Sequence, residues 1–481
     1  MDTTHSTRTA VLCTTADYYR HFRAVLLRAQ RSVFIAGWDF QPDLKLVRED
    51  EVGDDYPVVL SEILAYLANE RPDLQIRIAS WNYSLVYEGA AHQVVKEIAW
   101  ARGLPKNIGF ALDHHERFLG AHHHKVTVID DTIAFTGGVD LSIRRWDRDA
   151  RLPKDPRRVD PRGAQYDPIH DVQMIVEGDA AAYLGSIARK RWLDATGERF
   201  EGPDPRDENL WPEQLRSDFT DIEIDFARTW PRDDGGYTCE IENVYAELFQ
   251  TAQKALYVEN QYLSHEDSLA QIGALLQAEE GPEIVIVVPH EYRAYIEMET
   301  FGIEKARAID ALRAHDRFGR LRVVTPQTME AGARKWVYVH SKLGIADDRM
   351  LVLGSANLSD RSMGLDTELV AVIRGHDDRT RSRITAVRER LLSLHLGLSG
   401  EGIRTALAQT QSLVALVDMV AEHPGRALIE TPTDEADRWE LIPGWIADPP
   451  RPIGGRLVAG AVAAAGVLAA AVGIGYLVRA R

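Results

Sequence analysis

Two stretches of this 481-residue chain repeat one arrangement of chemically capable side chains. They are His123-x-Lys125-x4-Asp130 followed by Gly137-Gly138-Val139-Asp140, and His340-x-Lys342-x4-Asp347 followed by Gly354-Ser355-Ala356-Asn357. Six residues separate the Asp from the small-residue pair in both copies, so the halves read as duplicated modules, each supplying part of a phosphodiester-cleaving site. Side chains two apart on a strand share a face, so each His–Lys pair aims an imidazole and an ammonium at one place. An imidazole can attack phosphorus or donate a proton near neutral pH, and an ammonium offsets charge on a phosphoryl oxygen. Each Asp completes its motif from the opposite parity, where Asp130-Asp131-Thr132 and Asp347-Asp348-Arg349 are expected to turn a hairpin; Asp130 and Asp347 therefore have mainly a structural task. Gly138 and Ser355, with almost no side chain, let backbone amides approach a bound phosphate, and Asn357 can donate a hydrogen bond to it. The first half has Asp140 at the position of Asn357, so the two halves are not equivalent there.

The elements that must position these residues also repeat. In the first half a strand pattern at 32–38, a helix pattern at 58–70 and a strand pattern at 74–80 precede the motif; in the second, 255–259, 268–280 and 283–288 follow the same order. Further helical stretches near 89–101 and 299–314 lead to short strands near 107–112 and 321–325. Strands alternating with helices imply an α/β fold, a helix-covered mixed sheet in each of two duplicated lobes. The expected organisation is a first lobe at 1–197, an acidic linker at 198–235, a second lobe at 236–398, a connector at 399–452 and a C-terminal membrane anchor at 453–481.

Composition narrows the class. Lys and Arg total 56 against 73 Asp and Glu, a net charge of -17, which argues against a surface built to hold the nucleic-acid backbone. The basic, proline-containing run at 151–162 reads as a solvated surface loop, or as cover for an anionic headgroup. Cys13 and Cys239 lie far apart without CxxC spacing, which fits a reducing compartment. No secretory signal is read at the N-terminus. Residues 457–478 are uncharged over 22 positions, about 33 Å as a helix, enough for one transmembrane helix across a hydrocarbon core of roughly 30 Å. Arg456 and Arg479 bracket the run, and Trp445 and Tyr476 sit where interfacial aromatics are common. The expectation is a membrane protein anchored at its C-terminus with its body in the cytoplasm.

The paired motifs resemble the phospholipase D superfamily over nearly all of residues 20–395. The extensions Gly137-Gly-Val-Asp-Leu-Ser-Ile-Arg-Arg-Trp-Asp147, Gly354-Ser-Ala-Asn-Leu-Ser-Asp-Arg-Ser362, Val258-Glu-Asn-Gln-Tyr262 and Pro168-Ile-His-Asp-Val172 are more similar to its phospholipase branch than to its cardiolipin synthase branch. The resemblance implies one active site where two lobes meet, with His123 as nucleophile and His340 as general acid. It also implies carboxylates downstream of the motifs, here Asp171 and Glu368, that orient the imidazoles. Lys125, Lys342 and Asn357 would then neutralise the phosphoryl oxygens without a metal or other cofactor. Phospholipid is the expected substrate, and two motifs in one chain make a monomer sufficient for one site.

Other readings use the same residues. A cardiolipin synthase-like phosphatidyltransferase would take a glycerolipid as acceptor, whereas a membrane-tethered, non-catalytic lipid-binding protein would keep the fold with a decayed site. A zinc site built from His114, His115, His122, His123 and His124 ranks below these, because the extra histidines have no counterpart in the second half. His124 is expected to point outward, His170 to contact substrate or pack, and Trp38, Trp81 and Trp336 to serve packing.

Overall fold

The computed structural model describes residues 1–82, 97–115, 117, 119–203, 209–232, 234–294, 297–421, 425–438 and 444–449. In each half, three parallel strands are continued by antiparallel neighbours. Strands Ser32–Gly37, Gln75–Trp81 and Ile108–Asp113 run parallel, and Ser32–Gly37 also pairs antiparallel with Val126–Ile129. The ladder continues through Ile133–Gly137 and Gln173–Glu177 to the N-terminal strand Asp2–Leu12. The second half repeats this order: Ala255–Glu259, Glu283–Val287 and Leu321–Glu330 are parallel, then Leu343–Ala346, Met350–Gly354 and Glu368–Arg374 follow antiparallel. Phe219–Pro231 completes the second ladder and pairs antiparallel with Asp2–Leu12, joining the halves.

Alternation along the strands explains why both sheet faces are covered. Val33 and Ile35 enter a core private to the first half, while Phe34 and Ala36 enter a core shared with the second. Leu256 and Val258 likewise face a private core, and Tyr257 the shared one. Helices Asp179–Thr196 and Asp378–Leu396 fill the shared core with Leu184, Ile187 and Trp192 from one and Ile384, Val387 and Leu391 from the other. The second of these helices starts where the Asp377 side chain accepts from Thr380 N at 2.7 Å and stops at Gly397, whose φ of 69° closes the last turn.

Several sequence expectations need correction. The stretch at 198–235 is not simply a linker: Phe219–Pro231 is a 13-residue strand whose acidic side chains face outward while Ile224 and Phe226 are buried, so its alternation hid under an acidic composition. Residues 399–452 are not merely a connector, because helices Gly400–Thr410 and Leu413–Val420 pack on the second half and strand Arg426–Glu430 pairs with Leu321–Glu330. The 151–162 run is not a solvated loop: Arg158 is buried and bonds Asp147 at 3.1 Å, and Arg151 is buried against His170. Helical residues 97–100 belong to the expected 89–101 helix, whose first part lies outside the described residues. The expected anchor at 453–481, with Arg456, Tyr476 and Arg479, also lies outside them, as does the Trp445 side chain; among the described residues no helix is long and apolar enough to cross a membrane.

The two motif aspartates sit in the hairpins expected for them, at φ 53° each, on the far end of the strands from the histidines. Asp130 accepts from the backbone N–H of Gln30, Arg31 and Ser32 at 2.7–2.8 Å, and Asp347 from Gln253, Lys254 and Ala255 at 2.8–3.0 Å. Each fixes where the central strand of its half begins, and neither lines the cleft described below. Asp347→Ala should therefore lower folding stability by about 2–4 kcal/mol, since three donors lose a charged acceptor. Chemical denaturation measures this, and an unchanged midpoint would contradict the assignment.

Candidate active site

One cleft of 480 Å³ opens between the halves and is lined by both motif histidines, with Trp38, Asp140, Arg145, Gln261, Arg293, Tyr338 and Asn357. Each imidazole is held by a carboxylate from the opposite half. His123 Nδ1 lies 2.9 and 3.0 Å from the two oxygens of Glu368, and His340 Nδ1 lies 2.7 Å from Asp171 Oδ2. Both carboxylates are fully buried. An acceptor at Nδ1 fixes the proton there and leaves Nε2 as the reactive nitrogen. Among the described residues, neither Nε2 has a protein hydrogen-bond partner.

Backbone pairing builds this exchange. Tyr338–Val339 pairs in parallel with Ile169–His170, and His340 N donates to His170 O at 2.8 Å, which sets Asp171 beside His340. On the other side His122 bridges Thr367 in parallel, and His123 N donates to Thr367 O at 2.9 Å, setting Glu368 beside His123. His122 Nδ1 and His124 Nδ1 each lie 3.0 Å from Thr367 Oγ1. The extra histidines thus clamp the residue before Glu368. His124 is buried against Trp230 rather than outward, because the opposite half covers that strand face.

The small residues serve the carboxylates more than the phosphate. A Cβ on Gly138 would meet Asp171 Oδ1 at 2.1 Å, and the Gly138 amide already donates to Val172 O at 3.1 Å. Ser355 Oγ donates to Glu368 Oε2, and Ser362 Oγ to Glu368 Oε1 at 2.7 Å. The expectation that Gly138 and Ser355 bind substrate directly is corrected accordingly. Asn357 does line the cleft, where its side-chain oxygen meets no hydrogen-bond partner among the described residues.

Lys125 and Lys342 lie beneath the histidines, each donating to the carbonyl of its own motif His, at 2.6 and 2.5 Å. Their other partners differ. Lys125 pairs with Asp140 at 3.2 Å, whereas Lys342 bonds the Gln261 amide oxygen at 2.9 Å. Asp140 thus holds a lysine, and also accepts from Trp38 N at 3.0 Å, rather than facing phosphate as a bare charge. Trp38 belongs to the site too, its ring perpendicular to His123 at 5.2 Å. Composition gave no signal for that role. Pairing with the strand bearing the first motif could have suggested it, since Trp38 directly follows Ser32–Gly37. Trp81 packs on Trp38 and Trp336 on His290, at 4.4 and 4.3 Å, as packing residues do.

Burial first, then Lys125 and Lys342, holds His123 well below its ordinary pKa; burial, then Lys342 and Arg145, does the same for His340. Burial likewise pushes Asp171 up to about 6 and Glu368 up to about 7. The low-dielectric surroundings therefore disfavour an imidazolium–carboxylate ion pair in each couple. A bound phosphodiester would add the negative charge that an imidazolium needs.

A second cross-half cluster lies below the cleft. Glu259, from the Val258-Glu-Asn-Gln-Tyr262 motif, accepts from His170 at 2.6 Å, Ser341 at 2.7 Å, Tyr257 at 2.6 Å and His395 at 2.9 Å. His170 therefore packs and does not contact substrate. Four donors already use the carboxylate, and the Arg151 guanidinium lies against His170, so this His–Glu–His group is a hydrogen-bonded junction unsuited to a cation.

Residues 245–389 match the family model described as cardiolipin synthase, PLD-like domain. Phospholipase D1 of Schizosaccharomyces pombe is 22% identical over 488 residues, covering 79% of this chain and 35% of that protein. The cardiolipin synthase of Halalkalibacterium halodurans is 24% identical over 402 residues, covering 80% and 65%. The chain thus spans about a third of the length of the first relative and about two thirds of the second. Phosphatidylserine synthase of Haemophilus influenzae shares the fold, with a TM-score of 0.55 at 16% identity over 86% of this chain and 95% of that one. The family model and these relatives support the phospholipase D superfamily for this chain.

Gly138→Ala should cost about 1–3 kcal/mol through overpacking and push Asp171 off His340. Chemical denaturation and a crystal structure of the variant test this; an unmoved carboxylate would contradict it.

Proposed function

We propose that this chain is a phospholipid phosphodiesterase of the phospholipase D type, cutting a glycerophospholipid to phosphatidate and a free headgroup alcohol, with transfer to alcohols as a second outcome. The observation that carries the reading is the pair of imidazoles in one cleft, each fixed through Nδ1 by a carboxylate of the other half and each backed by a lysine.

In this reading His123 Nε2 attacks phosphorus, the bond to the headgroup oxygen breaks, and His340, as imidazolium, gives that oxygen its proton. The phosphatidyl group is then carried on His123. His340, now neutral, takes a proton from water, whose oxygen displaces His123 to release phosphatidate. An alcohol in place of water gives a new phospholipid. Lys125, Lys342 and the Asn357 amide hold the nonbridging oxygens, electrostatic work that needs no bond to a metal. The family model matched by residues 245–389 favours keeping the transferase reading beside hydrolysis, because both share the first half-reaction. Residues 453–481 are proposed to hold this body against a lipid surface.

Incubating the full chain with a phospholipid and a primary alcohol in chelator should yield phosphatidyl alcohol. His123→Ala or His340→Ala should reduce that yield by about 10⁴-fold or more. Product unaffected by either substitution would refute the mechanism, and no product from the unaltered protein would leave the lipid-binding reading.

Burial, opposed by Asp171 and reinforced by Lys125 and Arg145, lowers Lys342 to about 7. The free protein loses this positive charge as pH rises through that value, so kcat/KM should fall on the alkaline side near pH 7. Lys342→Arg keeps the charge and should move that limb upward by more than about one unit. A limb that stays put in the variant would show that another group controls it.

A further inference from the structure

Four guanidinium groups line the cleft, and they are not equally engaged. Arg361 is paired with Asp366 at 2.5 Å and Arg144 with Asp160 at 2.7 Å. Arg145 and Arg293 have no hydrogen bond or carboxylate ion pair among the described residues. The carboxylates nearby are already in use: Asp140 holds Lys125, and Glu297 accepts from the Tyr262 hydroxyl at 2.6 Å. Two guanidinium groups in one partly enclosed cleft repel each other, and among the described residues neither is held by a direct carboxylate contact.

Their position relative to the two imidazoles is specific. The Arg293 guanidinium lies 4.3 Å over the ring of Tyr338, and that ring is 6.5 Å from His340. The charge of Arg145 acts on His340 and Lys342 as well as on Tyr338. Arg293 therefore belongs to the His340 side, away from Trp38, which contacts His123, whereas Arg145 also acts on Lys125 and Asp140 and lies between the two sides. In-line displacement puts the attacking nitrogen and the departing oxygen on opposite sides of phosphorus, so the alcohol leaves, and an acceptor enters, on the His340 side.

Among the described residues, the aromatic faces on this side do not form an open cage for a quaternary ammonium. Arg293 covers Tyr338, and Phe301 is stacked on Tyr262 at 4.0 Å with an interplanar angle of 4°. A planar guanidinium with free donors suits carboxylate or phosphate oxygens instead.

Resting on the phosphodiesterase reading above, we propose that Arg145 and Arg293 form the alcohol subsite and select alcohols that carry their own carboxylate or phosphate over choline and other cationic or neutral headgroups. Arg293 reads the anionic group of the leaving or entering alcohol, and Arg145 bridges it to the His340 side of the phosphoryl group.

The test compares acceptors that differ by one anionic group, with a single short-chain phosphatidyl donor and the full chain: glycerol against glycerol 3-phosphate, and ethanolamine against serine. The anionic member of each pair should be used with at least about tenfold higher kcat/KM. Arg293→Gln should bring both ratios close to one, and Arg293→Lys should recover part of the preference. Equal use of both members by the unaltered protein, or an equal fall for both in Arg293→Gln, would overturn the proposal. Calorimetric binding of glycerophosphoserine against glycerophosphoethanolamine separates the two claims. Selective binding that Arg293→Gln abolishes, without turnover of any lipid, supports the subsite and counts against the enzymatic reading. Turnover without selectivity counts against the subsite alone.

Discussion

Everything in the cleft depends on two imidazole–carboxylate hydrogen bonds that cross from one half of the chain to the other. Asp171 belongs to the first half and holds His340; Glu368 belongs to the second and holds His123. Neither half by itself supplies the carboxylate that fixes its own motif histidine. The backbone bridges at Ile169–His170 and Thr367 are therefore part of the site as much as the motifs are, because they set the register that brings each carboxylate to the far imidazole. The shared apolar core, the antiparallel pairing of Asp2–Leu12 with Phe219–Pro231, and the Glu259 junction all press the halves into that register.

Burial makes this arrangement costly in a useful way. Two lysines, two imidazoles and the neighbouring arginines gather in a water-poor space, and burial first, then the positive charges, lowers the histidines and Lys342. An anionic phosphodiester relieves that repulsion on entry and raises the proton affinity of the imidazole that must act as acid. The difference between Lys125, tied to Asp140, and Lys342, which bonds the neutral Gln261 amide where its counterpart has a carboxylate, breaks the symmetry inherited from duplication. That asymmetry gives two like imidazoles different surroundings, as a nucleophile and an acid require.

Much of this was legible in the sequence because it is local. A spacing of two set each His beside its Lys, although both pairs directly precede strands Val126–Ile129 and Leu343–Ala346 and do not lie on them, and parity sent Asp130 and Asp347 to the hairpins. The strand and helix order of both halves followed from periodicity. What escaped was long-range. Nothing in the spacing says that Asp171 serves the other half's histidine, or that Gly138 is small to admit that carboxylate rather than a phosphate. Phe219–Pro231 was masked because acidic side chains occupy its outer face, and His124 because the opposite half covers the face it would have turned to solvent. Trp38 and Arg293 enter the site only through folding, the first at the end of a central strand and the second over Tyr338.

Nitrogen-15 spectra of selectively labelled histidine, taken for Glu368→Gln and Asp171→Asn, test the crossed pairing most directly. The first substitution should change the tautomer signature of His123 and leave His340 as it was, and the second should do the reverse. If each substitution instead moves the imidazole of its own half, or moves neither, the exchange of carboxylates between the halves does not hold and the site described here is wrong.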